Sequence, residues 1–234
     1  MPNNPSKTSA TSHGVNTKRV YFVRHGESMT NATKINYGPT VPLTDRGKAQ
    51  ARIVGKRLAS LMPKRLIASP YERAKETGST IAEEVGLPLE HSDLFIERRA
   101  PSVVRNRHGE EPEVQRIWKA IAENADIPDW HHSDEENFSD LRGRAKVALC
   151  FLETIPEDPT IVVTHGLFMK MLLAHILLGA KLDGRIFWDC FVPAKNIANT
   201  GIMHLEYTEN FHKTGMYWKL VSWNDHAHLS PDLL

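Results

Sequence analysis

The stretch Val20-Tyr21-Phe22-Val23-Arg24-His25-Gly26-Glu27-Ser28 decides how this chain is read. Four consecutive apolar, aromatic and β-branched residues have the composition of a strand buried on both faces, as in a parallel sheet. The run stops abruptly in charge and glycine. In open α/β sheets, ligands bind outside the carboxyl ends of the strands. A second run of the same kind, Thr160-Ile161-Val162-Val163, ends in Thr164-His165-Gly166. Two buried strands therefore each deliver a histidine followed by glycine at the carboxyl end.

Helical patterns fill the intervening chain. Thr44 reads as the N-cap of a helix running to about Met62, with Ala51, Val54, Leu58 and Leu61 at helical spacing. Arg65–Ala68 reads as a further strand. Ser69-Pro70 then reads as the cap and first residue of a helix that Gly86 stops. Residues 97–140 break the alternation. They hold Arg98, Arg99, Arg105, Arg107 and His108, an amphipathic helix near 113–124 containing Trp118, and a polar loop over 130–137. This segment reads as a helical cap insertion. Helices are expected at 139–154 and 167–178, and strands near 201–207 and 217–221. The alternation predicts an α/β fold: a mostly parallel sheet with helices on both faces.

Bulk properties narrow the function classes. The 234 residues, 41% of them hydrophobic, suit one α/β domain over 18–234 behind a polar tail, 1–17, expected to be disordered. A formal net charge of +1 gives no reason to expect a nucleic-acid or membrane partner. No apolar run approaches the roughly 18 residues needed to span a bilayer. No secretory signal is evident, and Cys150 and Cys190 are too few for a disulfide framework, so the expected location is cytoplasmic. His131-His132 and His226-Ala227-His228 read as exposed groups without carboxylates at ligand spacing. Neither a metal nor a cofactor is expected, and oligomeric state is not legible in one chain.

The chemistry follows from the two histidines. Imidazole is a good nucleophile at neutral pH when a partner on one nitrogen sets the tautomer. Arg24 beside His25 offers a fork of donors matched to phosphate oxygens, and Gly26 permits close backbone approach to a ligand. His165 precedes a helix N-terminus, whose free amides suit an anion. Arg73, early in the helix after the second strand, reaches back toward the sheet edge. Singly, each has an ordinary structural explanation. Together, two histidines and two arginines at converging strand ends meet the needs of phosphoryl transfer, which is mostly positioning and charge stabilisation.

These motifs resemble those of the histidine phosphatase superfamily, which includes the cofactor-dependent phosphoglycerate mutases. The resemblance rests on Arg24-His25-Gly26-Glu27-Ser28 with Asn31, on Pro42-Leu43-Thr44 with Gly47 and Gln50-Ala51, on Ser69-Pro70 with Arg73-Ala74 and Thr77, and on Thr164-His165-Gly166, in order. It implies that His25 is the phosphorylated nucleophile and that Arg24, Arg73 and His165 form the phosphate pocket. Asn31, Ser28 and Gly166 are the further candidates for substrate binding. It also implies an acidic proton donor, whose matching position is Glu97; Glu27, Glu110 and Glu111 are its rivals. Thr40-Val41 stand where relatives often carry aspartate. Glu97-Arg98-Arg99-Ala100-Pro101 lacks the arginine-aromatic-glycine run that follows this acid in the mutases. The expected activity is hydrolysis of a small phosphate monoester through a phosphohistidine. The alternatives are a 2,3-bisphosphoglycerate-dependent mutase and a non-catalytic phosphate-binding module.

Overall fold

A computed structural model describes residues 17–209 and 215–234; apart from Thr17, the expected tail lies outside them. Six strands form one sheet: β1 (Lys18–Arg24), β2 (Arg65–Ala68), β3 (Leu89–His91), β4 (Thr160–Thr164), β5 (Ile202–Glu209) and β6 (Met216–Asp225). Their spatial order is β3-β2-β4-β1-β5-β6. The first four in that order are parallel, and β5 and β6 close the other edge antiparallel.

Side chains alternate across a pleated strand, so a strand buried on both faces feeds two cores. Val20, Phe22, Ile67 and Val162 enter one core, with α5 (Phe138–Thr154) and α6 (Gly166–Leu178). Val23, Leu66, Ala68, Ile161 and Val163 enter the other, with α2 (Asp45–Ala59) and α3 (Glu72–Val85). Both faces are covered, as the alternating pattern predicted.

Details differ from the sequence expectations for local reasons. The helix α3 starts at Glu72 behind Tyr71, not at Pro70. Ser69 is still part of the sheet, its N–H donating to Val163 O at 2.9 Å. Its hydroxyl accepts from Tyr71 N and meets the His165 ring, while Tyr71, still extended, takes the cap position of α3. Thr44 does cap α2, accepting from Gly47 N at 3.0 Å, but α2 ends at Ala59, before Met62 turns into a left-handed conformation. The strand β3 and the five-residue α1 (Met29–Thr33) carry too little periodicity to be read in advance, whereas the amphipathic helix expected near 113–124 forms as α4 (Pro112–Glu123). His228 is half-buried, not exposed. Burial and the Arg57 guanidinium, 3.2 Å from its Nδ1, push its pKa down to about 4.

Gly26 serves the fold rather than a ligand. A Cβ there would lie 2.5 Å from Gly47 O, and one on Gly47 would lie 2.0 Å from Glu27 O. Only two glycines let the loop after β1 touch the first turn of α2. Among the described residues, no helix is long and apolar enough to cross a membrane.

Candidate active site

The strands β2, β4 and β1 are adjacent and parallel, so their carboxyl ends open on one edge. Register pairs Arg24 with Thr164. His25 and His165, each the next residue, are therefore neighbours, with ring centroids 5.1 Å apart. His25 N–H donates to Thr164 O at 2.9 Å, which locks that juxtaposition.

His25 Nδ1 lies 2.7 Å from Gly26 O, an acceptor only, so Nδ1 carries the proton. The lone pair then sits on Nε2, where Arg73 Nε donates at 3.0 Å. Arg73 is buried and also donates through Nη1 to Gly38 O at 3.0 Å. The Tyr71 ring flanks it, 5.4 Å from the guanidinium carbon. Arg24 is anchored by Nη1 to Ile197 O at 2.6 Å, while its buried Nε has no partner. Burial, then Arg73 and Arg24, hold the His25 pKa well below its usual value. At neutral pH the imidazole is unprotonated, with its tautomer set and its lone pair on Nε2.

His165 is fully buried against Tyr71 and His25. Its Nε2 is 2.8 Å from Ser69 Oγ, which already accepts from Tyr71 N at 3.2 Å. With Ser69 as the donor to Nε2, the proton of His165 sits on Nδ1, which has no partner. Burial, followed by Arg73 and His25, holds the His165 pKa well below normal.

Both buried histidines are neutral when folded but protonate below about pH 6.5 when unfolded. Their depressed pKa values make stability fall as pH drops from about 6.5 toward the folded values. Each contributes a slope of up to about 1.4 kcal/mol per pH unit. Denaturant titrations of wild type and His25→Asn in phosphate-free buffer are expected to diverge by about that slope between pH 7 and 5. Parallel curves would show that His25 protonates freely in the fold.

The helix N-terminus after His165 is not open to a ligand, because a carboxyl group of the protein itself occupies it. Glu97 accepts from Phe168 N at 3.0 Å and Leu167 N at 3.2 Å, and from Arg98 N at 2.9 Å. Its carboxyl group joins Arg24, His25, Arg73, Ser28, Asn31 and Gly166 in the wall of a cavity of about 520 Å³. The rival acids are occupied elsewhere. Glu27 accepts from Thr44 Oγ1 at 2.8 Å and pairs with Arg46, Glu110 pairs with Lys34, and Glu111 pairs with Arg107. Ser28 and Asn199 both donate to Asn31 Oδ1, at 3.0 and 3.2 Å, which leaves the Asn31 amide N–H groups for the cavity.

The cap segment sorts its arginines. Arg107 is paired with Glu111 and Glu113, and Arg98 is buried, its guanidinium carbon 5.2 and 5.0 Å from the Trp118 and Trp188 rings. Arg99 and Arg105 are exposed in the cavity wall, with no carboxylate partner within 4 Å among the described residues. Lys170 joins them from α6. It is the one Lys or Arg in a largely apolar helix, a signal visible in the sequence. Nothing in the local sequence marks Tyr71 or Asn199, and Ser69 is marked there as a motif residue and helix cap, not as a partner of His165.

The family model of the histidine phosphatase superfamily (branch 1) matches residues 20–226. The chain belongs to that superfamily. Over 92% of its length it is 27% identical to a probable phosphoglycerate mutase GpmB of Citrobacter koseri, covering 97% of that protein. Its fold is similar to that of mycobacterial glucosyl-3-phosphoglycerate phosphatase, with a TM-score of 0.71 and 21% identity over 89% of this chain and 99% of the other. It is also similar to a phosphoserine phosphatase of Entamoeba histolytica, with a TM-score of 0.69 and 20% identity over 91% and 99% of the two chains. This histidine phosphatase fold places both motif histidines and both motif arginines at a single sheet edge.

Proposed function

We propose that this chain is a phosphomonoesterase acting on a small phosphorylated metabolite that carries a second anionic group. The observation that carries the reading is the His25 geometry: an unprotonated Nε2, fixed by Gly26 O, beside Arg73 and Arg24. In the reaction, Nε2 attacks phosphorus as the phosphorus–oxygen ester bond breaks. Glu97 supplies the proton that the leaving alkoxide needs, a contribution of about 10²–10⁴ in rate. Arg24, Arg73 and the free Nδ1–H of His165 take the charge of the three equatorial oxygens, with Asn31 N–H groups assisting. Water then attacks the phosphohistidine, Glu97 takes its proton, the nitrogen–phosphorus bond breaks and phosphate leaves.

The second anionic group follows from the wall of the cavity. Arg99, Arg105 and Lys170 stand against a single rim carboxylate, Asp134, which is held by Ser102 N at 2.8 Å. Segment 97–140 is thus the specificity cap. Two of the similar structures are phosphatases named for glucosyl-3-phosphoglycerate and phosphoserine, both of which carry a carboxylate as well as the phosphate.

Phosphate release from a panel of esters, in chelator, tests both parts. Phosphorylated carboxylic acids are expected to outperform neutral alkyl phosphates. Arg99→Ala with Arg105→Ala is expected to raise KM for the acids about 10–100-fold, the worth of one or two charge-assisted contacts, and to leave phenyl phosphate unchanged. Equal effects on both classes would remove the second subsite. The name of the Citrobacter koseri relative favours the mutase reading instead. Isomerisation of 3-phosphoglycerate without phosphate release would establish it, and binding without either reaction would establish the non-catalytic module.

A further inference from the structure

One buried ion pair outside the cavity wall controls the segment that carries the proton donor. Arg144, on α5, forms a fork with Glu136: Nε to Oε1 and Nη2 to Oε2, both at 2.7 Å. Their side chains are 12% and 2% exposed. Arg144 Nη1 then donates to Leu94 O at 3.0 Å and to Ile96 O at 2.9 Å, the latter the carbonyl that immediately precedes Glu97. Glu136 grips the other side of Glu97. Its Oε2 accepts from Arg99 N at 3.3 Å, its N–H donates to Arg99 O at 3.0 Å, and its carbonyl accepts from Arg98 Nε at 2.9 Å. The Arg144 guanidinium carbon also lies 4.3 Å from the Phe168 ring, on the residue whose N–H holds Glu97 Oε1.

We propose that Arg144 and Glu136 are positioning residues that aim the Glu97 carboxyl group at the leaving-group oxygen. The pair clamps the backbone on both sides of Glu97 and braces the helix turn to which Glu97 is bound. General acid catalysis needs the donor within hydrogen-bond reach of the departing oxygen, so a shift of about 1 Å weakens it. Lysine at 144 keeps the charge. It lacks the planar fork that serves Glu136 and two carbonyls together. The proposal rests on Glu97 acting as the proton donor.

The test is the ratio of kcat/KM for p-nitrophenyl phosphate, whose leaving group needs no proton, to that for an alkyl phosphate, whose leaving group does. A ratio cancels the amount of folded enzyme, so a variant that merely destabilises the fold leaves it unchanged. Glu97→Gln is expected to raise the ratio about 100-fold. Arg144→Lys and Glu136→Gln are expected to raise it about tenfold or more. In the Glu97→Gln background, Arg144→Lys is expected to raise it no further, because the two act on one interaction. A raised ratio in Glu97→Gln with none in Arg144→Lys or Glu136→Gln would overturn the positioning role alone. An unchanged ratio in Glu97→Gln would overturn the donor reading beneath it. Should Glu136→Gln not fold, Arg144→Lys decides.

Discussion

Replacing His25 by alanine is expected to lower kcat/KM for every ester at least ~10⁴-fold, the scale of losing a catalytic nucleophile. The expectation rests on atoms. Nδ1–H is committed to Gly26 O, and Nε2 is left as the one lone pair of the ring, beside Arg73 and Arg24. Of the two histidines of the site, His25 lines the cavity, while His165 is fully buried behind it and bonded to Ser69. Trapping with radiolabelled ester in acid-free quench is expected to show an acid-labile, base-stable phosphoenzyme in wild type and none in the variant. Thermal melts of both proteins check that the fold survives. Activity retained in His25→Ala, at more than about one part in a hundred of wild type, would remove the nucleophile assignment.

The second large effect is expected at Arg73. Arg73→Lys is expected to lower kcat/KM about 10³-fold, near 4 kcal/mol of transition-state stabilisation. Arg73 faces His25 directly and is oriented by Gly38 O on one side and the Tyr71 ring on the other. Lysine offers a point charge in place of a planar fork, so it cannot hold Gly38 O and a phosphoryl oxygen together. Arg73→Ala has a further signature. Arg73 is the largest charge effect lowering the His25 pKa, after burial itself. Without it, His25 takes up a proton at higher pH, and a protonated imidazole cannot attack. The acid limb of kcat/KM is therefore expected to move to higher pH in Arg73→Ala than in wild type. A loss below tenfold with an unmoved acid limb would mean that phosphate is held elsewhere.

The sequence alone determined the fold class and named most of the residues that the fold gathers around His25. Val20–Val23 and Thr160–Val163 have the continuous apolar composition that a parallel strand covered on both faces requires. Their histidines fall at the strand ends because strand and motif are contiguous in the chain. His25, Arg24, Arg73 and His165 were singled out in this way, since each lies within a few residues of a strand end or helix start, whereas Glu97 came from the family resemblance alone. The tertiary structure decided what depends on distant partners. It assigned Gly26 to contact with Gly47 and gave the free amides of α6 to Glu97. It also held Arg98 between two tryptophans while leaving Arg99 and Arg105 to the cavity. Local sequence reports propensity and periodicity, which depend on neighbours in the chain. Which donor meets which acceptor depends on strand register and loop path, and those are set by burial summed over the whole fold.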